Sequence, residues 1–128
     1  MVLGLGTDMI EVKRVERLAS KGESYLEGIF TTGEIAYCDS KRFSAQHLAA
    51  RFAAKEAFLK ALGTGWREGI RFVDIEIHHT DQGAPKIHLT GKAKEILTAL
   101  SASPYYISVS MSHLKEYATA TVIIETRE

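Results

Sequence analysis

The most regular pattern of apolar positions lies near the middle of the chain. From Ser44 to Leu62 the residues are mainly strong helix formers, rich in alanine and leucine. Ser44 is a candidate N-cap, and Gly63 is typical of the position that ends a helix. The pattern predicts one long helix over residues 44–62.

Shorter alternating patterns predict β-strands in the rest of the chain. Phe72 to His78 alternates apolar with polar side chains, as a half-buried strand does. The run Asp81-Gln82-Gly83 predicts a turn into a second strand over Pro85 to Leu89. Further strands are predicted over residues 1–7, 105–112 and 117–125, and further helices over residues 10–22, from Thr32, and over residues 90–100. Because strands and helices mix without regular alternation, we expect an α+β fold with a mainly antiparallel sheet on the long central helix.

Length and charge exclude several classes of protein. The chain has 128 residues, a length that predicts a single domain over residues 1–128. The 16 basic and 16 acidic residues balance, which argues against a nucleic-acid binder that works by bulk charge. The sequence has neither a signal-peptide pattern nor an apolar run of membrane-spanning length. We therefore expect a soluble, cytoplasmic domain that binds neither nucleic acid nor membrane.

The N-terminal glycines and the cysteine content exclude two further kinds of site. Gly4-Leu5-Gly6 follows a predicted strand, but Met9 stands where a dinucleotide-binding motif needs its third glycine. The lone Cys38 excludes a disulfide framework and a multi-cysteine metal site. What remains is Asp8, which either caps the next helix or presents a carboxylate for chemistry.

The predicted long helix carries a polar stripe on a partly apolar face. Phe52, Glu56 and Lys60 are spaced by four and lie along one line. In one interpretation Glu56 and Lys60 are a solvent-exposed ion pair. In the other, a carboxylate on a semi-apolar face needs a partner, and Glu56 with Asp8 would suit Mg²⁺. The sequence alone leaves both open.

A glycine-rich break follows this helix. Gly63-Thr64-Gly65 comes directly after the last turn, three residues beyond Lys60. Bare backbone amides beside a lysine are a candidate anion site. The alternative is a simple helix C-cap followed by a turn.

The end of the predicted strand at residues 105–112 combines serines with a histidine. Ser110 and Ser112 precede His113, which raises the possibility of a serine hydrolase. No Gly-x-Ser-x-Gly elbow frames either serine, and neighbours in a strand point to opposite faces. The alternative is a small-residue sheet face against which a helix or ligand packs. The other histidines, at positions 47, 78, 79 and 88, show no metal-ligand spacing.

The first predicted helix bears a basic stripe. Arg14, Arg17 and Lys21 are three and four residues apart and share one face. Such a stripe is either a solvated face or a contact for an acidic protein surface. A non-catalytic module that binds a nucleotide or a carrier protein through this helix is therefore an alternative to an enzyme.

Two of these segments together resemble the signature motifs of the 4′-phosphopantetheinyl transferases. The first motif is Gly6-Thr7-Asp8-Met9-Ile10-Glu11, and the second is Phe52-Ala53-Ala54-Lys55-Glu56-Ala57-Phe58-Leu59-Lys60-Ala61. The short length and the run Ser110-Met111-Ser112-His113 make the chain similar to the holo-acyl-carrier-protein synthase branch. The resemblance covers nearly the whole chain.

The resemblance implies an activity and a set of site residues. The reaction would move the phosphopantetheine arm of coenzyme A to a serine of an apo-acyl carrier protein, releasing 3′,5′-ADP, in support of fatty acid biosynthesis. Asp8 and Glu56 would hold the cofactor Mg²⁺, and Lys60 would lie near the diphosphate. The surroundings of coenzyme A would include Arg51, Gly63, Thr64 and His113. The basic stripe would then meet the acidic helix of the carrier protein, and either Glu56 or a metal-activated water would take the serine proton.

The resemblance also implies a homotrimer with active sites between chains. The predicted strands carry apolar rows at Val73, Ile75 and Ile77, at Tyr105, Ile107, Val109 and Met111, and at Ala118, Ala120, Val122 and Ile124. One long helix covers one face of a sheet, and a chain of this size has few elements left to cover more. We therefore expect the remaining apolar surface to be buried between subunits.

Overall fold

The computed structural model describes residues 1–63 and 69–127, which form helices and antiparallel strands. In chain order the elements are β1 (Val2–Glu11), α1 (Val12–Ser20), α2 (Glu23–Glu27), α3 (Thr32–Asp39), α4 (Ser44–Leu62), a short 3₁₀ helix (Phe72–Asp74), β2 (Ile75–His79), β3 (Pro85–Leu89), α5 (Gly91–Leu100), β4 (Tyr105–His113) and β5 (Tyr117–Thr126). The strands form a three-stranded antiparallel sheet in the order β1-β5-β4 and a separate β2-β3 hairpin. The predicted α+β class and mainly antiparallel pairing are confirmed.

Helix α4 packs across the inner face of the three-stranded sheet. The helix contributes a nearly continuous buried surface, because thirteen of its nineteen residues are buried. Opposite it, β5 points Ala118, Ala120, Val122 and Ile124 inward, and each of these is almost fully buried. Small side chains on both elements let the helix lie close to the sheet. The core therefore lies between α4 and the sheet.

Two glycines of β1 set the closest approach between strand and helix. A Cβ atom on Gly4 would lie 1.7 Å from the carbonyl oxygen of Ala61, and one on Gly6 would lie 1.9 Å from that of Ala57. No side chain fits at either position. The glycines of the Gly4-Leu5-Gly6 run thus serve helix–sheet packing, which agrees with the rejection of a dinucleotide-binding loop.

The ends of several elements differ from the prediction. Strand β1 does not end at Asp8 but continues to Glu11, because its pairing with β5 extends as far as Tyr117. The N-cap of α1 is Glu11, so the interpretation of Asp8 as a helix cap is wrong. Helix α4 begins at Ser44 as predicted, but its N-cap is Phe43 and makes no side-chain capping bond. Gly63 ends the helix as expected, with a φ of 78°.

The uncovered apolar surface lies on the outer face of the sheet, not on the rows named from the sequence. The rows of β4 and β5 face α4, and Val73 lies in the 3₁₀ helix rather than in a strand. On the outer face, Leu5 is 64% and Met9 65% exposed, and Leu3 is exposed beside them.

In the described part of the chain, no helix has the length and apolar character needed to cross a membrane.

Candidate active site

Asp8 and Glu56 meet where β1 crosses α4. Asp8 lies two residues after Gly6 on the inner side of β1, opposite Ala120 of β5. Glu56 directly precedes Ala57, whose carbonyl oxygen faces Gly6. The close approach that glycine permits therefore also brings the two carboxylates to the same place. The side chain of Asp8 is 18% exposed, and Glu56 is half-buried.

The electrostatics of Glu56 reflect this proximity. Burial raises the pKa of the Glu56 carboxyl, and the negative charge of Asp8 raises it further. The positive charges of Arg14 and Lys60 act in the opposite direction. Two neighbouring carboxylates are stabilised in their charged form by a cation between them. Asp8 and Glu56 are thus the residues here that could hold a hard divalent metal ion.

Lys60 completes this group of side chains. Its Nζ donates to Asp8 Oδ1 at 3.0 Å and to the carbonyl oxygen of Thr7 at 2.9 Å. The side chain is 55% exposed, so its ammonium remains accessible from solvent. Lys60 therefore pairs across two elements with Asp8, which replaces the exposed Glu56–Lys60 pair considered from the sequence.

The basic stripe begins at the edge of the carboxylate pair. The guanidinium carbon of Arg14 lies 5.6 Å from the centre of the Phe52 ring, one turn of α4 before Glu56. Arg17 is exposed on the same helix, and Lys21 follows it with Nζ 5.6 Å from the Tyr25 ring. The three cations therefore form an exposed surface that leads away from Glu56.

The glycine-rich break is described only at its first residue. Gly63 donates its backbone N–H to the carbonyl oxygen of Lys60 at 3.1 Å, as a helix C-cap does. The capping interpretation is therefore confirmed at Gly63. Thr64, predicted to contact coenzyme A, and Gly65 lie outside the described residues.

Arg51 belongs to a second cluster, on another flank of α4. It precedes Glu56 by five residues, which places it about 140° away around the helix. Its side chain is nearly fully buried, with the guanidinium carbon 4.3 Å from the centre of the Tyr37 ring. Nη1 donates to the carbonyl oxygen of His47, and Nη2 lies 3.2 Å from His79 Nδ1. Among buried side-chain atoms in the described ranges, Arg51 Nε lacks a hydrogen-bond partner.

His113 lies in the same second cluster. Its Nδ1 is 3.0 Å from Gln46 Oε1, and its ring centre is 4.8 Å from that of His47. His47 and His113 border a cavity of about 270 Å³ that Arg51 and His79 also line. Burial, with nearby positive charge, lowers the pKa values of His47 and His79.

The second cluster contains three residues that the sequence did not indicate: Tyr37, His47 and His79. They come from α3, α4 and β2. Nothing in their spacing along the chain predicts that they lie together. Tyr37 stacks on His79 with ring centres 4.6 Å apart, a contact that only the tertiary fold creates. The structure thus divides the predicted site residues into two groups, one around Asp8 and one around Arg51.

The serine hydrolase alternative does not fit this geometry. Ser110 and Ser112 lie on the exposed outer face of β4. His113 points to the inner face, where it meets residues of α4. A nucleophile and its base must lie within hydrogen-bond reach of each other, and alternation along the strand separates these side chains.

Comparisons with known proteins identify the family of the chain. A family model described as the 4′-phosphopantetheinyl transferase superfamily matches residues 4–122. The chain is 45% identical over 126 residues to a holo-[acyl-carrier-protein] synthase of Geobacter sulfurreducens, with 98% of each chain covered.

Solved structures match over the whole fold. The crystal structure of holo-[acyl-carrier-protein] synthase from Neisseria meningitidis gives a TM-score of 0.85 at 35% identity, covering 98% of this chain and 100% of that one. A holo-(acyl-carrier-protein) synthase from Bacillus anthracis, solved in complex with CoA (3′,5′-ADP), gives a TM-score of 0.80 at 32% identity over 99% of each chain. The chain therefore belongs to the 4′-phosphopantetheinyl transferase superfamily.

Proposed function

We propose that the chain acts as a holo-acyl-carrier-protein synthase. It transfers the 4′-phosphopantetheine group of coenzyme A to a serine of an apo-acyl carrier protein and releases 3′,5′-ADP. The observation that carries the proposal is the meeting of Asp8, Glu56 and Lys60 at the crossing of β1 and α4. Similarity to holo-acyl-carrier-protein synthases, one of them solved with CoA (3′,5′-ADP), supports the proposal. We also infer a role in fatty acid biosynthesis and a cytoplasmic location.

The donor set of the site fits magnesium. Asp8 and Glu56 offer carboxylate oxygens, and Mg²⁺ typically takes one or two such ligands with water and substrate phosphate completing its shell. The effect of the Asp8 charge on the pKa of Glu56 supports a position between them for a cation. When bound, the ion would neutralise charge on the diphosphate.

The side chains of the chain itself align the transfer. The serine oxygen of the carrier forms a bond to the phosphorus that bears pantetheine, and the bond from that phosphorus to 3′,5′-ADP breaks. Lys60, half exposed beside Asp8, offsets charge on the leaving phosphate. The serine proton goes to Glu56 or to a neighbouring water, the two acceptors that the position of the site allows.

The carrier protein docks on the basic stripe in this proposal. Arg14, Arg17 and Lys21 lead away from Glu56 along α1, so a partner held there can extend a serine toward the carboxylates. Acyl carrier proteins present an acidic helix, and complementary charge favours that encounter.

A homotrimer would unite the two clusters. Arg51 lies about 140° around α4 from Glu56, and His113 of β4 contacts Gln46 near the start of that helix, away from Glu56. The exposed apolar outer face of the sheet supports association, because large patches of this kind usually mark interfaces. We infer that Arg51 and His113 of one subunit reach coenzyme A held by Asp8, Glu56 and Lys60 of the next. Cyclic symmetry repeats such a contact around the assembly.

Release of 3′,5′-ADP tests the proposed function. The purified protein is mixed with coenzyme A, apo-acyl carrier protein and Mg²⁺, and the nucleotide product is followed by chromatography. Asp8→Ala and Glu56→Ala should each nearly abolish release, and EDTA should do so reversibly. Glu95→Ala, on the exposed side of α5, is the matched control and should retain activity. Full activity of Glu56→Ala would contradict the assignment.

A further inference from the structure

A fully buried ion pair includes the α4 residue that precedes Glu56 in sequence. Lys55, the residue before Glu56, and Glu34 of α3 each have no exposed side-chain surface. Lys55 Nζ donates to Glu34 Oε1 at 2.7 Å, to the carbonyl oxygen of Phe72 at 2.9 Å and to that of Ile75 at 2.7 Å. An ammonium has three donors, and all three are used. None of the acceptors belongs to α4.

Glu34 is itself held by several hydrogen bonds. Its Oε1 accepts from the backbone N–H of Thr31 at 3.0 Å, which is half of the capping box that begins α3. Its Oε2 accepts from the backbone N–H of Ile77 in β2, also at 3.0 Å. The carboxylate therefore connects the start of α3 to the β2-β3 hairpin, and Lys55 connects both to α4.

The Glu34–Lys55 pair and the β1 glycines contact different sides of the same turn of α4. The carbonyl oxygen of Ala57 rests against Gly6 on the sheet side. Lys55 reaches α3 and β2 on the other side. Glu56 lies between these two residues in sequence. Contacts on both sides therefore limit how far α4 can rotate about its own axis at Glu56, and this sets the direction in which its side chain leaves the helix. Arg51, one turn before Lys55 on the same face, contacts Tyr37, one turn after Glu34.

Stability alone does not explain a pair of this kind. Burying two charges costs solvation, and well-packed apolar residues at such positions are often as stabilising or more so. What charged, hydrogen-bonded groups add is a unique orientation, because each bond has a preferred length and direction.

We propose that the Glu34–Lys55 pair is a positioning unit that sets the orientation of Glu56 for metal binding and transfer; this rests on the proposed function of Asp8 and Glu56. Neither residue touches substrate in this proposal. Their contribution is to hold the helix so that the carboxylate of Glu56 faces Asp8.

The test neutralises the pair without leaving a buried charge. In Glu34→Gln/Lys55→Met the glutamine keeps an acceptor for the capping bond, and the methionine fills most of the lysine stem. We expect a folded protein whose kcat falls at least about tenfold, because small displacements of reacting groups are costly. The KM values for coenzyme A and carrier protein should stay within about twofold. Binding of Mn²⁺, followed by electron paramagnetic resonance with coenzyme A present, should weaken about tenfold.

The matched control is an ion pair off α4 whose carboxylate is buried, although its arginine is largely exposed. Asp74 is 2% exposed and accepts from Arg71 Nη2 at 3.0 Å. Asp74→Asn should lower the melting temperature yet leave kcat and Mn²⁺ affinity near those of the parent. The single variant Glu34→Gln leaves the buried Lys55 ammonium without its carboxylate, so it should be less stable than the double variant and lose at least as much kcat.

Three results would overturn the positioning role. These are a folded double variant with unchanged kcat and Mn²⁺ affinity, an equal loss of kcat in Asp74→Asn, or failure of both pair variants to fold, which would make the pair a stability element. The outcome is separable from that of the proposed function. An inactive Glu56→Ala with a fully active double variant would refute the positioning role alone, whereas an active Glu56→Ala would refute the function.

Discussion

At the scale of single residues, Glu56 combines its proposed chemical role with a cost to stability. Its pKa is raised in the folded protein by burial and by Asp8. The folded state therefore binds this proton more tightly than the unfolded state does. The resulting contribution to stability is largest at acidic pH and is lost as the pH rises through the folded pKa. At neutral pH the charged Glu56 is consequently unfavourable for folding.

Glu56→Gln should separate these two effects. The amide keeps the size of the side chain but removes the charge, so repulsion from Asp8 disappears. We expect kcat to fall at least about 100-fold while the melting temperature at pH 7.5 stays equal or rises. Steady-state kinetics and thermal unfolding measure both quantities, with Glu95→Gln as the control. A lower melting temperature accompanied by normal kcat would indicate a structural role for Glu56.

At the scale of elements, the crossing of β1 and α4 organises the site. The strand lies against the helix because Gly4 and Gly6 carry no side chain. That contact places Asp8 beside Glu56, and β5 holds the strand in register through Asp8 opposite Ala120. These two glycines therefore affect the candidate site by setting the distance between β1 and α4.

Gly6→Ala should disturb both stability and activity. Its Cβ would lie 1.9 Å from the carbonyl oxygen of Ala57, and this backbone atom cannot turn away as a side chain can. Overpacking of this kind costs about 1–3 kcal/mol of unfolding free energy, occasionally more. The matched control is Gly28→Ala, where the nearest atom is 3.7 Å away and φ is −74°. Urea unfolding should show a large loss for Gly6→Ala and little change for the control; equal losses would contradict the packing argument.

How far the sequence predicts the elements depends on the range of the forces that form them. Helix α4 and strand β3 begin and end at the predicted residues, because helix propensity, Gly63 and the turn before Pro85 act locally. The length of β1 was underestimated, since its end is decided by pairing with β5, far along the chain.

The candidate site divides in the same way. Asp8, Glu56 and Lys60 were predicted together from motif resemblance and helical spacing, and the structure places them in one group. Tyr37, His47 and His79 were not predicted, because separate elements bring them around Arg51. No feature of the local sequence around these three residues predicts that they lie together in the fold.

At the scale of the whole molecule, charge on α1 should govern the encounter with the carrier protein. Arg17→Glu reverses one charge of the stripe without touching Arg14, which borders Glu56. We expect the KM for carrier protein to rise several-fold while that for coenzyme A stays constant, and added salt should mimic the effect because exposed charges are screened. Lys94→Glu on α5 is the control. Equal changes in both KM values would contradict a contact between the basic stripe and the carrier protein alone.

Assembly should make two defective chains complement each other. Glu56→Ala removes one cluster and Arg51→Ala the other, so a mixed trimer contains some interfaces at which both clusters are intact. Co-expressed chains carrying different tags should regain part of the activity, with light scattering reporting the trimer. His113→Ala, at a less buried position than Arg51, can replace Arg51→Ala. Inactive mixed trimers, or a fully active monomer, would contradict an active site shared between subunits.

We infer that this chain moves phosphopantetheine onto a carrier serine by means of Asp8 and Glu56. The most direct test is the intact mass of an apo-acyl carrier protein after incubation with the protein, coenzyme A and Mg²⁺. We expect the carrier to gain one 4′-phosphopantetheine group and a carrier lacking the acceptor serine to gain none. Glu56→Ala should leave the carrier unmodified. An unmodified carrier with the parent protein, or equal modification by Glu56→Ala, would contradict it.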